Sequence, residues 1–197
     1  MPPILTAVLS IAALLISLLT AWLSFFRRGT VRMTRPTIIY FGPDSERDKI
    51  PKIYFRTLLF ATAKRGRVLE SMYVRIRRSD TIQNFTTWVH GDQAVVRGSG
   101  LHVPETGVVT THQFLIGDLV TPFAFNSGQY ELEVIATIVG DRANKLLFRT
   151  LLELSYQSAV AIADLRSGVS FDWSPDSGRY TERVQSIATV PAVATPQ

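Results

Sequence analysis

The chain of 197 residues contains no cysteine. Disulfide bonds, thiolate nucleophiles and zinc sites built on cysteine are therefore excluded. Only three histidines are present, His90, His102 and His112, and their spacing matches no short metal-ligand motif on a single element. We expect these histidines to be ordinary surface residues, and the sequence predicts neither a metal ion nor a cofactor.

Signatures of common catalytic and phosphate-binding sites are also missing. No Gly-x-Ser-x-Gly motif is present to expose a serine beside a base. The glycine-rich stretch 91–107 lies between predicted strands, whereas a phosphate-binding loop leads into a helix. Helix-turn-helix, zinc-finger and RNP-like motifs are absent, so nucleic-acid binding is not expected. Together these absences favour a protein that is not an enzyme.

What the sequence does contain is an uncharged apolar run over residues 4–26. As a helix this run is about 34 Å long, enough to cross a hydrocarbon core of about 30 Å. No basic residue precedes it, in contrast to a secretory signal peptide, so we predict a retained transmembrane anchor over residues 1–28. The alternative, a buried helix of a soluble protein, is disfavoured by the length of the run.

Four arginines flank the C-terminal end of this run, and residues 29–35 are predicted to be a basic juxtamembrane linker. They are Arg27, Arg28, Arg32 and Arg35. Because basic residues next to a span stay on the cytoplasmic side, we predict an external N-terminus and a cytoplasmic C-terminal domain. An extracytoplasmic domain would require an exception to this rule.

Small residues recur along one face of the predicted helix at alternating spacings of four and three. After Thr6 the series continues with Ser10, Ala13, Ser17, Thr20 and Ser24. Such a seam allows close backbone approach and interhelical hydrogen bonds, and it predicts association with a second copy or a partner helix. The alternative is that these hydroxyls bond back to carbonyls of their own helix.

Charge is distributed unevenly along the chain. Residues 27–78 contain fourteen Lys or Arg against four Asp or Glu, whereas residues 79–197 contain seven against twelve. A basic half next to an anchor would face anionic lipid headgroups, to which each nearby Lys or Arg contributes about 1 kcal/mol of attraction. We therefore expect an anionic lipid surface to be one partner of the protein.

Beyond residue 35 the apolar pattern changes to alternation with a period of two, which is typical of half-buried strands. The longer predicted strands are 37–41, 53–63, 68–77, 81–89, 108–116, 128–139 and 145–156, with short ones at 94–97 and 101–103. Segments 53–63 and 68–77 are expected to form a hairpin in which Gly66 adopts positive φ. This pattern predicts an all-β domain, an antiparallel sandwich over residues 36–157.

The segment 128–134, GQYELEV, resembles the tyrosine-corner strand of immunoglobulin-like and fibronectin type III-like domains. The resemblance implies an immunoglobulin-like sandwich in which Tyr130 hydrogen-bonds to backbone upstream of it. It implies no activity, because this architecture hosts many unrelated roles. The plan of one anchor and one sandwich is also similar to that of bacterial single-pass membrane proteins, which implies a location in the inner membrane.

Residues 158–197 lose the alternating pattern and are predicted to be a mobile C-terminal tail. Phe171, Trp173 and Tyr180 lie there among acidic residues. This composition suits docking on the basic face of the domain itself or on a partner. An inert extension is the alternative.

One strand carries an aromatic and basic stripe on the face that should be exposed, and a basic turn precedes it. The predicted interaction surface consists of Lys64, Arg65, Arg67, Tyr73, Arg75 and Arg77. The opposite face of the same strand, with Met72, Val74 and Ile76, should be core. A strand face that is solvated to resist edge aggregation is the alternative.

The leading hypothesis from the sequence is a non-enzymatic adaptor or scaffold, tethered by a single span to the cytoplasmic face of the membrane. Confinement at the membrane raises the effective concentration of a partner, so weak contacts with an unidentified protein suffice. The alternative is an extracytoplasmic ligand-binding or sensory domain, and an enzyme is the third hypothesis.

Overall fold

The computed structural model describes residues 3–25, 28–44, 49–91, 96–97, 100–117 and 123–186. These residues form an apolar N-terminal helix followed by two antiparallel β-sheets and one short helix. The predicted all-β fold with a single N-terminal apolar helix is confirmed.

The first helix, α1, spans Pro3–Phe25, where leucine and alanine predominate and no residue is charged. The window Pro3–Trp22 has a mean hydropathy of 2.5, so α1 is long and apolar enough to span a membrane. Its described apolar side chains are exposed, as Leu14 and Trp22 illustrate, and none of them belongs to the domain core.

The predicted small-residue seam lies on α1. Thr20 Oγ1 donates a hydrogen bond to the carbonyl oxygen of Ile16 at 2.8 Å. At this position the hydroxyl is used within its own helix, which is the alternative to interhelical bonding. The side chains of Thr6 and Ser24 lie outside the described residues. Association through the seam stays a prediction.

The strands follow one another along the chain and are interrupted by a single helix, α2. They are β1 (Val31–Met33), β2 (Ile38–Pro43), β3 (Pro51–Ala61), β4 (Arg67–Arg78), β5 (Thr81–Phe85), β6 (Thr87–His90), β7 (Val96–Arg97), β8 (Leu101–Val103), β9 (Val108–Leu115), β10 (Gly128–Ile138), β11 (Lys145–Leu154), then α2 (Tyr156–Ala163), β12 (Ser167–Ser174) and β13 (Arg179–Ser186).

Two sheets divide these strands. Sheet A has the order β13-β12-β2-β3-β9-β6-β7, and β1 pairs with the last residues of β3. Sheet B has the order β11-β10-β4-β5, and β8 pairs with the first residues of β4. The β10–β11 hairpin and the short strands β7 and β8 agree with the sequence prediction.

The core lies between the two sheets and is rich in aromatic rings. Phe41 of β2 contacts Tyr130 of β10 edge-to-face, with ring centroids 5.8 Å apart, and contacts Phe171 of β12 at 5.0 Å. The predicted core face of β4 is confirmed, because Met72, Val74 and Ile76 are all buried. Full burial of one such side chain contributes about 1.5–3 kcal/mol, so this cluster holds the sheets together.

The predicted hairpin between segments 53–63 and 68–77 is wrong. β3 belongs to sheet A and β4 to sheet B, and the two strands do not pair. Gly66 does adopt positive φ, at 67°, but the turn carries the chain from one sheet to the other. Likewise segment 81–89 is two strands, because the chain changes sheet at Thr86. Local turn chemistry was sufficient to locate the bends but not the strand partners.

The predicted mobile tail from residue 158 is corrected over residues 158–186. These residues form most of α2 and all of β12 and β13. β12 pairs with both β13 and β2, and its Val169 and Phe171 are buried in the core. Residues 187–197 of the predicted tail lie outside the described residues.

The predicted linker 29–35 is also shorter than expected. Val31 is fully buried and pairs with Ala61 through β1, so the sandwich begins there. Gly29 approaches Ala63 so closely that a Cβ at Gly29 would collide with it, and φ of Gly29 is 59°. The chain is thus fixed against the domain four residues after the end of α1.

Candidate functional site

The predicted interaction surface is divided by the structure between two places. Lys64, Arg65 and Arg67 lie at the end of the sandwich where β3 finishes, next to β1, and we call this the α1 end. Tyr73, Arg75 and Arg77 instead lie on the outer face of sheet B. The two groups have different surroundings and are described separately.

A concave site of about 330 Å³ lies at the α1 end. It is lined by Arg28, Arg65, Gly66, Arg67, Val68, His102, Val139 and Gly140, and we call it the basic cavity. Its lining residues come from the β3–β4 turn and the start of β4, from β8, from the β10–β11 turn and from the segment after α1. Arg28 is three residues from Phe25, so at most about 10 Å separates the cavity rim from the end of α1.

Gly66 lies at the base of the cavity, close to His102 and Val103. A Cβ at Gly66 would lie 2.7 Å from His102 Nε2 and 2.8 Å from the Val103 carbonyl oxygen. The amide of Gly66 donates to the carbonyl oxygen of Ala63 at 2.9 Å. Glycine is therefore required both for its positive φ and for the close approach of the imidazole.

Arg67 is one wall of the cavity rather than a free surface charge. Its Nη2 forms an ion pair with Asp141 and donates to the Val139 carbonyl oxygen at 3.1 Å. Its Nη1 donates to the carbonyl oxygen of Arg28 at 3.4 Å. Only 9% of its side chain is exposed. Arg67 thus joins the segment after α1 to the β10–β11 turn, a role that its position in a basic turn did not indicate.

The chain between α1 and β1 is held by further hydrogen bonds. The Thr30 amide donates to Thr62 Oγ1 at 2.9 Å, and the Thr62 amide donates to the Thr30 carbonyl oxygen at 2.8 Å. Lys145 Nζ also bonds to Thr30 Oγ1. Because these bonds connect three segments, the cavity is preorganised relative to the start of the domain.

The outer face of sheet B carries five interdigitated charges, which we call the ionic face. It consists of Arg75 and Arg77 on β4, Glu131 and Glu133 on β10 and Arg149 on β11. Arg75 faces Glu133 and Arg77 faces Glu131 across the strand pair, at 3.6 Å and 3.7 Å. Arg149 reaches Glu131 at 3.4 Å and also binds Glu133.

The electrostatic consequence is that the predicted basic stripe is largely neutralised. Glu133 is buried, and its hydrogen bond raises the pKa of Arg149, with further contributions from the charges of Glu133 and Glu131. Arg75 Nε also donates to Asn84 Oδ1 at 3.2 Å, and its guanidinium lies 5.9 Å from the Tyr73 ring. The sequence placed these charges on one face but did not reveal their pairing.

The flanking arginines differ in their surroundings. Arg27 lies outside the described residues, whereas Arg28 and Arg32 are exposed at the α1 end. The guanidinium of Arg35 lies 3.8 Å from the ring centroid of Trp173. Trp173 thus contacts an arginine of the predicted linker, whereas Phe171 is buried in the core and the Tyr180 hydroxyl donates to the Pro36 carbonyl oxygen at 2.6 Å. The C-terminal aromatic residues belong to sheet A and do not dock on the basic stripe of sheet B.

The three histidines also occupy different environments. His112 is fully buried, in contrast to the expected surface position, and its Nδ1 accepts a hydrogen bond from Trp88 Nε1 at 3.1 Å. His90 faces His112 across the β6–β9 pair, and burial lowers the pKa of His90. His102 is exposed in the basic cavity. Among the described residues no group of three His, Asp or Glu side chains could hold a metal ion.

A second concave site escaped sequence analysis because α2 lay in the predicted tail. We call it the apolar groove, of about 330 Å³, and Pro43, Phe125, Ala159, Val160 and Leu165 are among its lining residues. It lies at the end of the sandwich where β3 begins, about 33 Å from the α1 end along that strand.

No family model, curated protein or solved structure matches this chain. Function must therefore be inferred from the sites themselves. The basic cavity combines guanidinium and imidazole groups, whose hydrogen-bond donors suit an anionic ligand. The described part of the site offers no arrangement of nucleophile and base.

Proposed function

We propose that this protein is a single-pass membrane protein that holds an immunoglobulin-like sandwich at the cytoplasmic face of the inner membrane. There it acts as a non-enzymatic adaptor for another protein. Support for the sandwich type comes from Tyr130, whose hydroxyl donates to the carbonyl oxygen of Asn126 at 2.6 Å, the contact that defines a tyrosine corner.

The observation that most supports the cytoplasmic placement is the position of the basic cavity. Its Arg28 follows the apolar helix α1 by three residues, and Arg65 and Arg67 face the same cavity. Basic residues next to a span favour the cytoplasmic side, where the leaflet is anionic. The fold thus places Arg65 and Arg67 beside Arg28, so they add to the basic charge close to the span.

The contact with a partner protein is proposed to involve the ionic face and its apolar margin. Leu151 of β11 is 58% exposed and Ile82 of β5 is 52% exposed, and their strand partners, Glu131 and Arg77, belong to the ionic face. Arginine is enriched at protein interfaces, and the exposed aliphatic side chains beside it offer apolar area that a partner would remove from water. Tethering by α1 raises the local concentration, so a small contact area suffices.

Reporter fusions at Gln197 test the placement. A cytoplasmic C-terminus gives a fluorescent green fluorescent protein fusion and an inactive alkaline phosphatase fusion. The reverse result would place the sandwich outside the cytoplasm and refute the proposal. That result would support the second candidate, an extracytoplasmic ligand-binding domain, for which the volume and apolar lining of the groove beside α2 are suitable.

Photo-crosslinking in intact cells tests the adaptor role. A photoreactive amino acid at position 151 should give a discrete protein adduct, whereas the same residue at Val184 should not. Val184 is a matched control because it is also an apolar, half-exposed strand residue, and it lies on sheet A. Equal adduct patterns at the two positions, or none at position 151, would contradict a partner at the ionic face.

A further inference from the structure

We infer that the basic cavity binds the phosphate of an anionic phospholipid headgroup from the membrane that α1 spans. The inference rests on the proposed insertion of α1, since only an inserted helix brings the cavity to the headgroup layer. It adds to the proposed function a defined lipid site, distinct from general attraction of basic residues to a surface.

The composition of the cavity suits one phosphate. Arg28 and Arg65 are exposed at its rim, Arg67 forms a wall, and His102 lies over Gly66. Guanidinium groups bind phosphate oxygens through paired N–H donors. The lining residues include no carboxylate. The adjacent Asp141 is paired with Arg67, so it orients that guanidinium and offsets one positive charge.

The apolar part of the rim distinguishes a lipid from free phosphate. Val68 and Val139 line the cavity and are 40% and 53% exposed. A free phosphate ion gains nothing from exposed valines. The glycerol and upper acyl carbons of a phospholipid, however, would cover them and remove apolar area from water. Cationic and apolar groups beside one another match the two parts of a lipid headgroup region.

The cavity is also built to keep its shape. Gly66 has no room for a Cβ beneath His102, and the Thr30–Thr62 hydrogen bonds fix the segment that carries Arg28. Arg67 connects that segment to the Val139 carbonyl oxygen. Preorganised donors lose little conformational entropy on binding, so a specific site is favoured over loose attraction.

The test uses the full chain in neutral detergent micelles and observes backbone amide resonances of glycines by NMR. Gly66 and Gly140 line the cavity, and Gly168 in β12 serves as a remote reporter. Dihexanoyl phosphatidylglycerol is expected to shift the two cavity resonances saturably and to leave that of Gly168 unchanged. Dihexanoyl phosphatidylcholine should bind at least tenfold more weakly, because its headgroup has no net charge.

Matched variants assign the binding to the cavity. Arg28→Gln with Arg65→Gln should weaken phosphatidylglycerol binding about 25-fold, at about fivefold per arginine. Arg166→Gln with Arg183→Gln removes the same charge from exposed positions outside the cavity and should leave the affinity unchanged. The same number and dispersion of backbone amide resonances as in the unaltered chain shows that the fold of each variant is intact. If the first variant loses the fold, the affinity of the unaltered chain at rising salt decides instead, and a value independent of salt overturns the inference.

Three further results would overturn the inference. Equal weakening in both double variants would indicate general charge attraction. Equal affinity for the two lipids would remove the requirement for an anionic headgroup. Inorganic phosphate that binds as tightly as phosphatidylglycerol would assign the cavity to a free anion. None of these results depends on which side of the membrane the sandwich occupies. The reporter fusions at Gln197 can therefore refute the cytoplasmic placement without refuting the lipid site, and the lipid-binding test can refute the lipid site without refuting the placement.

Discussion

Tyr130 donates its hydroxyl hydrogen to the backbone carbonyl oxygen of Asn126, and the two oxygens lie 2.6 Å apart. The Tyr130 ring is buried and contacts Phe41 edge-to-face. Tyr130→Phe keeps the ring but leaves the carbonyl without this donor, so the free energy of unfolding should fall by about 1–2 kcal/mol. Urea unfolding of the full chain in neutral detergent measures the change. Tyr156→Phe, at a residue that is 75% exposed, should have no effect, and equal losses would contradict the role of the hydrogen bond.

Tyr130 also shows which parts of the fold could be read from the sequence. Its strand alternates over residues 128–134 and is followed by a hairpin with its neighbour, so pattern and pairing are both local. The Lys64–Arg67 turn was equally clear as a bend, yet its neighbours His102 and Val139 are distant in sequence. The composition of the basic cavity therefore depends on non-local strand order, which periodicity does not encode.

The C-terminal strands were missed for a different physical reason. β13 is an edge strand whose side chains are mostly exposed, so it has no apolar alternation. β12 has a run of four buried residues, Gly168 to Phe171, of which only two are large and apolar. Neither strand gives the pattern by which strands are recognised, although both complete sheet A.

Phe171→Ala tests the place of β12 in the core. Phe171 is 1% exposed and packs on Phe41 with ring centroids 5.0 Å apart. Removing a buried phenylalanine ring costs about 3–5 kcal/mol, so urea unfolding should shift strongly to lower denaturant. Val184→Ala on the neighbouring edge strand, at a residue that is 47% exposed, should cost much less. A small and equal loss in both variants would mean that residues 158–186 are a dispensable extension.

Gly168→Ala tests the packing of Tyr40 across neighbouring strands. A Cβ at Gly168 would collide with the hydroxyl and ring of Tyr40, which lies on the adjacent strand β2. We expect a loss of about 2 kcal/mol in the free energy of unfolding, typical of overpacking. In a Tyr40→Val background the added methyl has space, so the same substitution should cost clearly less. Additive effects in this double-mutant cycle would show that the two residues are not coupled.

Alkaline pH should destabilise the protein through the same tyrosine. Burial, followed by the nearby Tyr54 and Asp44, raises the pKa of Tyr40 from 10.0 to about 12. Between pH 10 and 12 the unfolded chain therefore releases a proton that the folded chain retains, and stability falls as pH rises. The urea concentration at the midpoint of unfolding should decrease over this interval, and the decrease should be smaller in Tyr40→Phe.

Tyr54, Tyr130 and Tyr180 also have raised pKa values, so part of the decrease should remain in Tyr40→Phe. A pH profile that Tyr40→Phe leaves unchanged would contradict the assignment to Tyr40.

Glu133 and Glu131 provide a matched pair for the ionic face. The Glu133 side chain is 9% exposed and contacts both Arg75 and Arg149, whereas that of Glu131 is 26% exposed and lies 3.4 Å from Arg149 and 3.7 Å from Arg77. Neutralising the buried carboxylate costs more than neutralising the more exposed one, because water screens the interactions of Glu133 less and its charge-assisted hydrogen bonds with Arg149 are lost. Glu133→Gln should therefore lower the free energy of unfolding by about 1–3 kcal/mol, and Glu131→Gln by less than about 1 kcal/mol.

Urea unfolding of both variants is measured at about 0.05 M and about 0.5 M salt. The effect of Glu131→Gln should vanish at the higher salt concentration, whereas most of the effect of Glu133→Gln should persist. If instead both effects disappear together, the ionic face is a solvated surface whose charges do not contribute to holding β4, β10 and β11 together.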